Sequence, residues 1–335
     1  MGAIKGVGKG AVATIIENRS KEKYKSIFDL VKKVDLRAAN KKTLENLALA
    51  GGFDSFKNAH RAQYFNPDGD GIIFLERVIR FGAKYQENLN SAQTSLFGEQ
   101  SDGVFQELII PDAPEWQNLE QLKREKEVVG IYLSGHPLDD FKKEMQWFTN
   151  GILANLKDLK PLVNKNINVA GIINDFEFLE SKNGKQWCKF TLEDFSEQYE
   201  FRIFGEEFLK FKHFININQF VRLKLNIRDG WRNQETGRIG DPRIQFLSFE
   251  MLYDAINNNS KKITLKFDIR KLQAKRILRL KSGLNRFKGD KPICFDIIDS
   301  EKSLKLTLNS RKQKVGISPE LLDHLDNNDW IYKLN

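Results

Sequence analysis

Between Asn90 and Pro114 the sequence turns to Ser, Gln, Glu, Asp and Gly, without a sustained apolar period that could feed a core. A chain of 335 residues interrupted in this way is expected to form separate modules on either side of a tether. Within that tether, Gln93-Thr94-Ser95-Leu96-Phe97 places two adjacent large apolar side chains where no core is at hand. An exposed Leu-Phe pair of this kind asks for a pocket on another molecule.

The rest of the composition narrows the class. Hydrophobic residues make up 40% and charged residues 30%, the balance of a soluble folded protein. No apolar run approaches the ~18 residues that span a bilayer, and no basic-then-apolar leader follows Met1. The two cysteines, Cys188 and Cys294, are far apart, and the four histidines lack metal-ligand spacing. A cytoplasmic protein with no membrane partner, no metal and no cofactor of its own is expected. The net charge of +9 is concentrated at the ends: residues 1–58 hold 12 Lys/Arg against 6 Asp/Glu, and residues 259–335 hold 18 against 9. Basic ends around an acidic middle fit modules with different partners.

In Ile4-Lys5-Gly6-Val7-Gly8-Lys9-Gly10-Ala11 a Gly-hydrophobic-Gly turn opens a helical apolar pattern. This is the hairpin of a helix-hairpin-helix motif, whose glycines let helix-start amides approach a DNA phosphate. Lys5, Gly6, Gly8, Lys9 and Gly10 form the first candidate site. A second follows a helix over Lys41–Ala50 with Asn40 as its N-cap: Lys42 with Gly51 and Gly52, after which Phe53-Asp54 is expected to begin another helix. Two such units predict a paired domain that grips duplex DNA without reading sequence.

Asn66-Pro67-Asp68-Gly69-Asp70-Gly71 suggests a calcium loop, but its twelfth position is Arg77 where a glutamate is needed, so a turn feeding a helix from Ile72 is expected. Further on, Glu125-Lys126-Glu127-Val128-Val129 leads into Gly130-Ile131-Tyr132-Leu133-Ser134-Gly135-His136-Pro137-Leu138. A charged helix that stops at Gly-His-Pro is expected, with His136 a turn residue. This string, following the hairpins and the pentapeptide, resembles the C-terminal region of the bacterial DNA polymerase III alpha subunit family. The pentapeptide itself resembles the short peptides that dock on the ring-shaped sliding clamp. The resemblance therefore implies Gln93, Ser95, Leu96 and Phe97 as the clamp-binding residues.

Residues 161–258 read as three strands, a helix and two more strands, the order of a five-stranded oligonucleotide-binding (OB) β-barrel. Alternation buries Cys188, Phe190 and Leu192 and turns Trp187, Lys189, Arg202 and Phe204 to the other face, a candidate surface for single-stranded DNA. The loop with Arg228, Trp231, Arg232 and Arg238 is a second candidate, although the local acidity of Glu193, Asp194, Glu197 and Glu200 opposes tight binding. Residues 259–335 follow a β-α-β-β-α-β order and are expected to be ferredoxin-like. In the resembling family this end contacts the tau subunit of the clamp loader.

The expected whole is a multidomain α+β chain. It comprises paired hairpins (1–58), a linker helix (59–89), the tether (90–114), a helical connector (115–160), the barrel (161–258) and the C-terminal domain (259–335). No carboxylate triad suited to two metal ions is evident. The resemblance places the catalytic domain, with its Mg²⁺, upstream of Met1. A non-catalytic part of a replicative polymerase is expected. The alternatives are a repair enzyme, disfavoured because no Lys-x-Asp-Gly adenylation motif occurs, and a stand-alone DNA-binding module.

Overall fold

The structure, a computed structural model, describes residues 1–94, 107–230, 239–299 and 301–335, with only the backbone of residues 90–94. These fall into two compact units, Met1–Pro137 and Leu138–Asn335. Among the described residues no helix is long and apolar enough to cross a membrane.

The first unit is helical, with α1 (Lys9–Lys21), α2 (Ile27–Lys33), α3 (Lys41–Leu49), the single turn α4 (Arg61–Tyr64), α5 (Phe74–Thr94) and α6 (Asn118–Val129). Ser26 and Asn40 start α2 and α3 by accepting from the amides of Asp29 and Thr43, donors that a helix start otherwise leaves open. α2 buries Ile27, Phe28, Leu30 and Val31, and the core joins them to Leu44 and Leu47 of α3 and to Phe74, Leu75 and Val78 of α5. The segment read as a linker helix thus supplies part of this core. Gln86 fixes its position by donating to the carbonyls of Val31 and Val34, both at 2.8 Å.

Two local expectations are corrected here. α6 ends five residues before the Gly-His-Pro string, because Gly130 adopts the left-handed conformation (φ +90°) and its amide closes on Lys126 O at 2.7 Å. The end of the polar stretch, Glu107–Pro114, lies along the helical core. Leu108 and Ile110 pack against it, Lys32 bridges Glu107 at 2.7 Å, and Gln63 donates to Pro111 O at 2.9 Å. The alternation of Leu108 and Ile110 is the apolar signal within that polar composition.

The second unit begins with α7 (Lys142–Phe148) and then builds β1 (Asn166–Glu180), β2 (Gln186–Glu193), β3 (Gln198–Phe204), α8 (Gly205–Phe211), β4 (Phe220–Arg228) and β5 (Arg243–Met251). The sheet order is β3-β2-β1-β4-β5. β1 serves both halves: Asn166–Ile172 pair with β4, Ile172–Glu180 pair with β2, and a bulge between Ile173 and Asp175 bends the strand. The concave side buries Cys188, Phe190, Leu192, Phe201, Ile203, Phe246 and Phe249. The closed barrel is not found: among the described residues β3 and β5 do not pair. Glu200, Arg202, Glu207, Arg228 and Arg243 line the groove of about 970 Å³ left there. Charged side chains on both strands keep that seam solvated.

After α9 (Ala255–Asn259) come β6 (Ile263–Asp268), α10 (Ala274–Arg286), β7 (Lys288–Asp299), β8 (Leu304–Val315), α11 (Pro319–Asp326) and β9 (Ile331–Leu334). Element order is as expected, but the sheet order is β8-β7-β6-β9, with β6 and β7 adjacent and parallel from Ile263↔Ile293 to Asp268↔Ile298. A ferredoxin-like split unit would place a strand between them. Here α10 is joined to β7 through Phe287 alone, which leaves no length to step across another strand. Leu280 and Leu284 of α10 and Leu321, Leu322 and Leu325 of α11 cover Ile263, Leu265 and Ile293.

Candidate nucleic-acid interface

The first hairpin is built on α3. Gly6 sits at φ +71°, a conformation that side chains with a β-carbon rarely adopt. Asn46 Nδ2 donates to Lys5 O at 2.6 Å and Thr43 Oγ1 to Gly6 O at 3.1 Å. Both are buried and lie three residues apart on one face of α3. With the turn's carbonyls held inward, α1 starts at Lys9 from an extended Gly8, with no capping side chain and no acid in its first turn. Among the described residues nothing accepts from the amides of Lys9, Gly10 and Ala11. Gly8, Lys9 and Gly10 are exposed. Open amides at the positive end of a 13-residue helix, beside bare glycine backbone, suit an anionic oxygen.

The lysines divide. Lys42 lies beside the turn, its Cγ 3.6 Å from where a β-carbon on Gly6 would stand. Neither Lys42 nor Lys9 has an anionic partner among the described residues. Lys5 is engaged elsewhere: its Nζ donates to Glu127 O at 2.8 Å and its amide to Val128 O at 2.8 Å, tying the hairpin to the end of α6.

At the second predicted hairpin the glycine amides are already engaged. Gly51 donates to Ala48 O at 3.1 Å and Gly52 to Leu47 O at 2.7 Å, so both amides already close α3. No helix starts at Phe53. Instead Phe53 and Phe56 stack at 5.9 Å in the core, and Asp54 turns back to Arg61. Gly51, at φ +79°, also makes room: a β-carbon there would lie 2.3 Å from Arg61 Nη2. Gly51→Ala is expected to cost about 1–3 kcal/mol. Urea denaturation of the variant would reveal it as a lower midpoint.

Arg61 belongs to a buried network that joins this turn to the Gly-His-Pro string. It binds Asp54 through Nε at 2.9 Å and Nη2 at 2.6 Å, and Glu125 Oε1 through Nη1 at 2.6 Å. Glu125 is fully buried. Its Oε2 accepts from the amides of Leu133 at 3.1 Å and Ser134 at 2.9 Å, and its Oε1 from the Ser134 hydroxyl. Burial pushes the Glu125 carboxyl up, but the Ser134 and Leu133 donors and the Arg61 guanidinium outweigh it and hold it below its ordinary value. Hydrophobic periodicity could not flag this pair, since Arg61 and Glu125 are 64 residues apart.

On the five-stranded sheet the four predicted side chains do come together. Trp187 faces Phe204 across β2 and β3 and stacks on it at 5.0 Å and 20°, while Lys189 faces Arg202. Phe204 is half exposed. Both cations already have carboxylates: Lys189 bonds Glu177 at 2.6 Å and Arg202 bonds Glu200 at 2.9 Å. Such a face offers stacking with little net attraction for phosphate. The adjoining β3–β5 groove adds Tyr199, Arg228 and Arg243, and Arg228 donates to Gln245 at 2.7 Å. The alternation Arg243, Gln245 on β5 was the available signal for that wall. Trp231, Arg232 and Arg238 lie outside the described residues, as do Ser95, Leu96, Phe97 and the side chain of Gln93. Asp68 Oδ1 accepts from the amides of Asp70 and Ile72, both at 3.0 Å, as a turn residue.

Comparison with known proteins agrees with these two ends. Residues 1–64 match a helix-hairpin-helix motif family, and residues 263–335 match the DNA polymerase III alpha subunit, C-terminal domain. The DNA polymerase III subunit alpha of Pseudomonas fluorescens is 29% identical over 88% of this chain and 25% of its own length. That of Borreliella burgdorferi is 28% identical over 92% and 26%, and that of Campylobacter jejuni 34% over 61% and 16%. The chain thus spans about a quarter or less of the curated relatives it matches. A mitochondrial single-stranded DNA binding protein from S. cerevisiae aligns at 12% identity over 26% of this chain and 95% of its own, with a TM-score of 0.20, too low to bear on fold or function. Taken with the hairpin at one end and the matched domain at the other, the chain is similar over most of its length to DNA polymerase III alpha subunits, about a quarter of whose length it matches.

Proposed function

We propose that this chain is the DNA-holding and partner-docking part of a replicative polymerase and carries no catalytic centre of its own. The observation that carries the reading is the first hairpin. Three amides at the start of α1 and two lysines beside them have no partner among the described residues, in a segment that matches a helix-hairpin-helix family. That arrangement suits sequence-independent contact with the phosphates of duplex DNA. The order of strands and helix in residues 166–251 supports an OB fold, itself a partly open five-stranded Greek-key barrel. Single-stranded template would stack on Trp187 and Phe204, and the arginines of the β3–β5 groove would lie along its backbone.

Gln93, Ser95, Leu96 and Phe97 would dock on the sliding clamp, the Leu-Phe pair filling a pocket and the glutamine bonding at its rim. The basic residues 259–335 would face the clamp loader's tau subunit, and the catalytic metal would belong to a different part of the polymerase. A cytoplasmic location follows from that role. Titration of the chain against a purified bacterial sliding clamp tests the tether. Saturable binding is expected, lost on Leu96→Ala with Phe97→Ala; equal binding by the double variant contradicts this assignment.

A further inference from the structure

β8 is the outer edge of the four-stranded sheet, so alternate backbone groups on one side have no strand to pair with. From Leu304 to Asn309 it pairs regularly with β7, placing Leu306 opposite Ile297 and Leu308 opposite Phe295. Alternation therefore sets Leu304, Leu306 and Leu308 on the side where Phe295 packs against the core. The covering helices stop short of this strand: the three leucines are 62%, 56% and 44% exposed. An apolar core face continues one strand beyond its cover.

Cations unpaired among the described residues flank both ends of this row, while the acidic Glu301 beside it is already taken up by Arg270. Beyond Asn309 the register breaks, and Ser310–Gln313 bulge out of the ladder before Lys314 pairs with Pro292. Arg311 and Lys312 sit in the bulge, and Lys302 stands just before Leu304. None of these three cations has an anionic partner among the described residues. A second copy of the chain would bring the same positive bulge to the edge, and like charges facing each other oppose pairing. Duplex DNA would gain nothing from three leucines.

We propose that the Leu304–Asn309 edge receives an extended segment of a partner protein in which apolar and acidic residues alternate. Added as a further strand, the segment would lay its apolar residues over the leucine row, and its carboxylates would meet Lys302, Arg311 and Lys312. The inference deepens the reading of residues 259–335 as a partner-docking domain and rests on it.

The test uses the intact chain and a labelled peptide of about eight residues alternating glutamate and valine, with fluorescence anisotropy and amide hydrogen exchange as readouts. Binding is expected, with exchange slowed across Leu304–Asn309. Leu306→Ser with Leu308→Ser should weaken binding about tenfold or more, and a lysine–valine peptide should not bind. Because the leucines are exposed, the variant should keep the wild-type circular dichroism and melting midpoint. Failure of the acidic peptide to bind, or equal binding by the folded double variant, overturns the proposal. So does dimerisation of the chain that the same substitutions abolish, or displacement of the peptide by duplex DNA that the same substitutions weaken. A purified clamp-loader subunit that still binds the folded double variant at full strength would retain the docking-domain reading while rejecting this edge.

Discussion

Glu125→Ala is expected to lower the unfolding free energy of the helical unit by about 3–5 kcal/mol in urea denaturation. The loss is large because Arg61, only 8% exposed, would keep its charge with Asp54 as its remaining carboxylate partner. The amides of Leu133 and Ser134 and the Ser134 hydroxyl would lose their acceptor at the same time. A fully buried ion pair need not stabilise relative to an apolar pair of the same volume, but removing one member leaves a desolvated charge behind. Ser134→Ala removes one donor and should cost about 1–2 kcal/mol. The pH dependence has a definite sign. The folded-state carboxyl lies below its ordinary value of 4.5, so its contribution is full above that pH and is lost as pH falls through the folded value. The alanine variant should lack that part of the acid unfolding limb. A loss below ~1 kcal/mol would show that the network does not hold the Gly-His-Pro string to the hairpin unit.

Reversing charge at both Lys9 and Lys42 is expected to weaken binding to a short duplex by about a hundredfold at low salt. The slope of log affinity against log salt should fall by about one for each lysine that contacts a phosphate. Lys5→Gln is the internal control: its ammonium already donates to Glu127 O, so this change should alter duplex binding far less than either reversal. Equal losses at Lys5 and Lys9 would mean that general positive charge, and not a located phosphate site, governs the interaction.

Short-range signals in the sequence identified much of this molecule. The glycine turn that opens α1, the Asn40 cap and the alternation that buries Cys188, Phe190 and Leu192 are each set by neighbours in the chain, and each was legible. Strand and helix order in both sheets was legible for the same reason. Pairing between distant segments was not. The open seam between β3 and β5 and the adjacency of β6 and β7 depend on which edges meet, and composition does not encode that. The helix expected at Phe53 failed on a subtler point: Gly51 and Gly52 read equally well as a phosphate loop or a helix stop. Arg61, ten residues downstream of Gly51, decided between them.

The central claim is that the start of α1 takes a phosphate on its open amides. Its most direct test follows the backbone amide resonances of the intact chain by NMR as a short duplex is added at low salt. The largest shifts are expected at Lys9, Gly10 and Ala11, with little change at Gly51 and Gly52, whose amides already close α3. Large shifts at Gly51 and Gly52 with none at Lys9–Ala11 would contradict the account.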